Sequence, residues 1–189
     1  MSLPHWEYFL AIESDLEKCS RYVEFCQDND STYSLEFARI IMASCSETDT
    51  IIKLLCKAID PGKRPDNILE YFPVLSSKYP KFTTFEIFIP RFKIRLHPWK
   101  DWTETKSPDW WSKAYNKIKH ERDKFFKEAN LTNTLNAVSG LFCVILYYYK
   151  ATPVCARIQK HEKVLTFMNH PALGGVGHYS SWNFSYASS

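Results

Sequence analysis

The sequence predicts an all-α fold: an up-and-down bundle of four to five helices with a small β-hairpin insertion. Three observations predict it. Glycine is scarce, with 5 in 189 residues. Long stretches repeat their apolar residues every three or four positions, and one short stretch switches to alternation in two. The length suits a single domain with a substantial core. The reading is one helical domain over residues 1–152, with a hairpin inserted at about 82–98, and an irregular C-terminal tail over 153–189.

The elements follow in order. Residues 3–28 read as a first helix, with Ser2 as cap, Pro4 in the first turn and a stripe of Phe9, Ile12, Leu16, Cys19, Val23 and Cys26. Asp28-Asn29-Asp30-Ser31 breaks it. A second helix over 33–59 buries Phe37, Ile40, Ile41, Cys45, Thr48, Ile52, Leu55 and Ile59, and Asp60-Pro61-Gly62 ends it. The two make an αα-hairpin. A short helix fits 67–77, and strands fit 85–89 and 92–96 around Pro90-Arg91. In the second strand Phe92, Ile94 and Leu96 face one way, and Arg91, Lys93 and Arg95 the other. Ser107-Pro108-Asp109 starts a helix running to about Ala129. A last helix covers 131–150, stopped by Thr152-Pro153.

Charge is uneven. Residues 1–60 carry 11 Asp/Glu against 5 Lys/Arg, and the remainder 10 against 19. That asymmetry suits a nucleic-acid-facing side or an acidic helix packed on a basic neighbour. The six cysteines form no C-x-x-C pair or regular framework, so they read as small buried hydrophobes in a reducing cytoplasm. The first nine residues lack the basic region of a signal peptide. The most apolar run, 137–149, is shorter than a membrane span of roughly 18–20 residues and reads as a core helix. No membrane association is expected.

The segment from Trp110 to Phe126 concentrates the reactive side chains. On a helix, Lys113, Asn116, His120, Asp123 and Lys127 share one polar stripe, with Trp111, Ala114, Tyr115, Ile118, Phe125 and Phe126 opposite. An imidazole beside an amide and cations, on a helix anchored by its far side, can hold a phosphate and move protons near neutral pH. A solvated polar face with an ordinary surface histidine explains the same stripe.

Tyr115-Asn116-Lys117-Ile118-Lys119-His120 resembles the signature of the HEPN superfamily, helical bundles that often act as metal-independent RNases. That signature is an Arg followed by His after four to six residues, often with a polar residue after the Arg. The resemblance implies RNA as substrate, a homodimer that pairs two Arg/His sets, and toxin or phage-defence roles. It makes His120 the general acid or base for attack by a 2′-hydroxyl, Asn116 the residue that orients it, and Lys113 or Lys119 the cation on the phosphorane. Tyr115 stands where these RNases most often carry Arg, and Lys cannot supply the planar fork. The alternative is a non-catalytic helical module that binds a protein partner.

Two other groupings carry expectations. Arg122, four residues past Ile118, leans toward the buried side, and Glu47 sits among Ile40, Ser44, Ile51 and Leu54; a Glu47–Arg122 pair satisfies both. Asp49 and Lys53 read as a surface pair. Residues 78–100 hold six Lys/Arg and one acid among aromatics. Arg91, Lys93 and Arg95, with Lys117 of the helix, are therefore candidate RNA contacts. Docking of the hairpin on the bundle accounts for the same aromatics. His161, His170 and His178 lack close Cys partners, so no metal site is expected. Leu173-Gly174-Gly175-Val176-Gly177 lacks the Lys-Ser/Thr of a phosphate loop, and no cofactor is implied.

Overall fold

A computed structural model describes residues 3–151 and 166–167. The bundle contains α1 (Pro4–Cys19), α2 (Leu35–Ile59), α3 (Ile68–Lys78), a π-helix (Trp110–Tyr115) continued by α4 (Asn116–Phe125), and α5 (Leu131–Ala151). The strands are β1 (Ile87–Ile89), β2 (Ile94–Leu96) and β3 (Thr166–Phe167), in the order β2-β1-β3. Ser2, Cys155, the Thr152-Pro153 stop, the three tail histidines and the glycine-rich tail segment lie outside the described residues.

α5 is the axis of the fold. Its residues from Ala137 to Tyr147 are buried without interruption, as expected of a helix that is apolar all round. It is longer than the apolar run suggests, and a window of mean hydropathy 1.3 makes it apolar enough to cross a membrane. That window is 78% buried inside the protein, which fits a core helix. α1 and α2 pack on it as the expected hairpin, with Phe9 stacked on Phe142 at 5.0 Å between ring centres.

α1 ends nine residues earlier than its apolar stripe predicts. The amides of Tyr22 and Val23 both turn back to the carbonyl of Cys19 at 3.0 Å. The turn leaves Val23 and Cys26 only half-buried and buries Phe25, whose ring lies 4.7 Å from Phe92 of the hairpin. A ring-on-ring contact far along the chain thus replaces two more turns of helix. α2 begins after Ser34, whose hydroxyl accepts from the amide of Phe37 at 3.0 Å. α3 begins after Asn67, which caps the amides of Leu69 and Glu70.

The hairpin forms with Ile87 opposite Leu96 and Ile89 opposite Ile94. It is shorter than predicted, because a 3-10 turn over Pro90–Phe92 and a left-handed Lys93 (φ 55°) take the intervening residues. β3, in the segment expected to be irregular, adds a third strand by pairing with β1. The facing is as expected: Phe92, Ile94 and Leu96 are half-buried, and Arg91, Lys93 and Arg95 are exposed.

Tryptophans join this insertion to the bundle. Trp99, Trp102 and Trp110 are buried, and each indole N–H donates to a carbonyl: of Gly140, Ile68 and Pro98 respectively. The five described cysteines are all free thiols, four of them buried. Burial pushes the thiols of Cys19 and Cys56 up to about 11 and about 12. Asp49 and Lys53 pair at 2.9 Å as expected, and Tyr71 donates its hydroxyl to the same carboxylate at 2.8 Å.

Candidate functional site

The helix behind Ser107-Pro108-Asp109 is not one regular rod. Its first six residues, Trp110–Tyr115, are wound as a π-helix. The wider turn carries buried Trp110, Trp111, Ala114 and Tyr115 against the bundle. α4 continues to His120, and then Glu121 leaves helical dihedrals (φ −143°, ψ 49°). A 3-10 turn, Phe126–Glu128, closes the segment.

The following residues are clasped to the start of α2. The amide of Ser34 donates to the carbonyl of Ala129 at 3.2 Å, and that of Leu131 to the carbonyl of Thr32 at 2.9 Å. Asn130 caps α5 by accepting from the amide of Asn133 at 3.0 Å. The ring of Tyr33 meets that of Phe126 edge to face at 5.3 Å.

Between these two stretches runs an open groove of about 870 Å3. One wall is α2, through Leu35, Ala38, Arg39 and Met42; the other is α4 and its continuation, through Ile118, Lys119, His120, Arg122, Asp123 and Phe126. Its lining is therefore half apolar, through Leu35, Ala38, Met42, Ile118 and Phe126, and its titratable groups are three fixed cations, one imidazole and one carboxylate. Leu35, 70% exposed, adds apolar surface to this lining.

The sequence-predicted catalytic residues divide at this groove. His120 is exposed and lines it, and its ring has no hydrogen-bond partner among the described residues. Lys119 lines it too, with its ammonium 5.5 Å from the ring centre of Tyr115. Asn116 is exposed one turn before His120, but its side chain makes no hydrogen bond to the imidazole, so the orienting contact expected of it is not formed. Lys113 is turned away, paired with Asp109 at 2.8 Å. The polar and apolar faces are otherwise as read: Lys113, Asn116, His120, Asp123 and Lys127 are all exposed, and Tyr115 is 8% exposed.

The Glu47–Arg122 pair does not form. Spacing from Ile118 holds only while the helix is regular, and the break at Glu121 leaves Arg122 exposed on the groove. Glu47 is satisfied from α1 instead, by His5 Nδ1 at 2.5 Å, and the His5 ring abuts Tyr148. The candidate RNA contacts on the hairpin are largely engaged. Arg91 donates to the Ser20 hydroxyl at 3.4 Å and lies over the Phe92 ring, and Arg95 pairs with Glu86 and lies over Phe88. Lys117 sits 4.4 Å above the ring of Phe125. Lys93 alone of these four has no such contact among the described residues.

Sequence reading missed Arg122, Arg39 and Leu35 as groove residues. The cluster Lys119-His120-x-Arg122 carried a signal for the first. Arg39 showed only an i,i+3 spacing to Glu36, the mark of any surface helix. Arg39 is bound by two carboxylates: its Nη2 donates to Asp15 of α1 at 2.5 Å, and its Nε to Glu36 at 3.0 and 3.1 Å. These hydrogen bonds hold the carboxyls of Asp15 and Glu36 below their usual values.

No protein-family model, curated protein or solved structure matches the chain.

Proposed function

We propose that the groove receives an RNA phosphodiester and that the protein is a metal-independent, HEPN-like endoribonuclease. The observation that carries this reading is His120, exposed and with its ring free of partners among the described residues, beside Lys119 and Arg122 in the lining of one open groove. An imidazole not committed to the protein can accept a proton from a 2′-hydroxyl. As that oxygen bonds to phosphorus, the bond from phosphorus to the 5′-oxygen breaks, and the leaving oxygen takes its proton from water. The products are a 2′,3′-cyclic phosphate and a 5′-hydroxyl. Lys119 and Arg122 face the charge that builds on the phosphoryl oxygens. Arg122 thus takes the part first assigned to Lys113. Homodimerisation, a toxin or phage-defence role and a cytoplasmic setting rest on the resemblance and on the cysteines, which are free among the described residues.

The test is cleavage of single-stranded RNA in EDTA. Replacing His120 by Ala is expected to lower kcat by about 100-fold or more. An inactive wild-type protein, or a His120→Ala variant of full activity, overturns the reading. A second reading, a module that binds a protein partner, is favoured by the exposed Leu35 and by Tyr115 lying buried where the resembling RNases carry Arg. It predicts partner binding that survives His120→Ala and is lost on Leu35→Asp.

A further inference from the structure

We infer that Arg39 is a phosphate-holding residue of this groove, acting from the wall opposite His120; the inference rests on the RNA-binding part of the proposed function. The motif helix offers no guanidinium upstream of His120, because Tyr115 occupies that position and is buried. Arg39 brings one from α2, across the groove from Lys119, His120 and Arg122.

Its surroundings suit that task. Asp15 on α1 and Glu36 on α2 bind Nε and Nη2, so two different helices fix the plane of the guanidinium. Nη1 is left without a partner among the described residues, and the side chain is 53% exposed. Ion pairs this exposed contribute little to stability, so two carboxylates on one arginine do more to aim it than to hold the fold. An aimed guanidinium loses less side-chain freedom when an anion arrives than a mobile lysine does. Lys18, paired with Asp15 at 2.9 Å, offsets part of the negative charge nearby.

The probe is a fluorescent single-stranded oligoribonucleotide with 2′-O-methyl sugars, which binds but cannot be cleaved through its 2′-oxygen. Anisotropy titrations over a range of salt concentrations give the affinity and its salt slope. Arg39→Gln is expected to weaken binding about tenfold. It is also expected to reduce the slope of log K against log salt by about 0.7, the loss of one phosphate contact. Arg39→Lys is expected to keep the slope and still lose affinity, since the charge stays and the fork goes. A structural role alone moves the melting temperature and leaves the salt slope unchanged.

Unaltered slope and affinity in Arg39→Gln, with wild-type binding and His120-dependent cleavage intact, overturn the inference and spare the nuclease reading. A reduced slope together with full cleavage by His120→Ala does the reverse. Absence of wild-type binding overturns both. Should Arg39→Gln fail to fold, Arg39→Lys decides, and affinity equal to wild type overturns the inference.

Discussion

A β-carbon added at Gly140 would lie 2.7 Å and 2.8 Å from two ring atoms of Trp110. That indole cannot easily retreat, because it is 4% exposed and donates to the carbonyl of Pro98 at 2.6 Å. Gly140→Ala is therefore expected to destabilise the protein by about 1–3 kcal/mol, read from urea unfolding. A variant as stable as wild type would mean that the contact between α5 and the π-helix is loose. Single residues were unevenly legible in the sequence. His120 could be placed on an exposed face because the winding from Asn116 to it is α-helical, even though a π-helix precedes it. Arg122 could not, because the non-helical dihedrals of Glu121 fall between Ile118 and it. Glu47 was read correctly as needing a partner, but His5, 42 residues away, is a contact that only the packing of α1 on α2 creates.

Among the elements, α2 forms one whole wall of the groove, and its first turns supply Leu35, Ala38 and Arg39. Its start depends on the Ser34 hydroxyl, which satisfies an amide that has no partner within the helix. Ser34→Ala is expected to cost about 1 kcal/mol in chemical denaturation, and a loss under about 0.5 kcal/mol, the scatter of surface substitutions, would refute the cap. Helices α2, α3 and α5 were readable to within two residues at each end, since caps and periodicity agree there. The end of α1 was not, because its stripe continues past Cys19 while Phe25 gains more by meeting Phe92. The π-helix left no periodic signature, and β3 depends on a pairing some 80 residues distant.

At the level of the whole molecule, the acidic N-terminal third is tied to itself near the groove through Asp15, Arg39 and Glu36. Both carboxyls have folded-state values below their unfolded ones, with the hydrogen bond from Arg39 as the largest cause. Their contribution is complete above the unfolded value and fades as pH falls through the folded one, so it is lost below about pH 4. Wild-type stability, from urea midpoints, is expected to fall more between pH 7 and pH 3 than that of Arg39→Gln. Equal losses would mean that the arginine contributes nothing to folding through these groups. The overall class was legible because scarce glycine and helical periodicity point the same way along most of the chain. The groove was not, because its walls come from segments 80 residues apart.

The clasp of residues 32–34 to 129–131 has a mechanical consequence. It ties the two walls at one end, as a hinge pin joins two leaves, so that end keeps its width. His120 and Arg122 stand on either side of Glu121, whose backbone is non-helical, so a widening of the mouth that bends the chain there moves the two relative to each other.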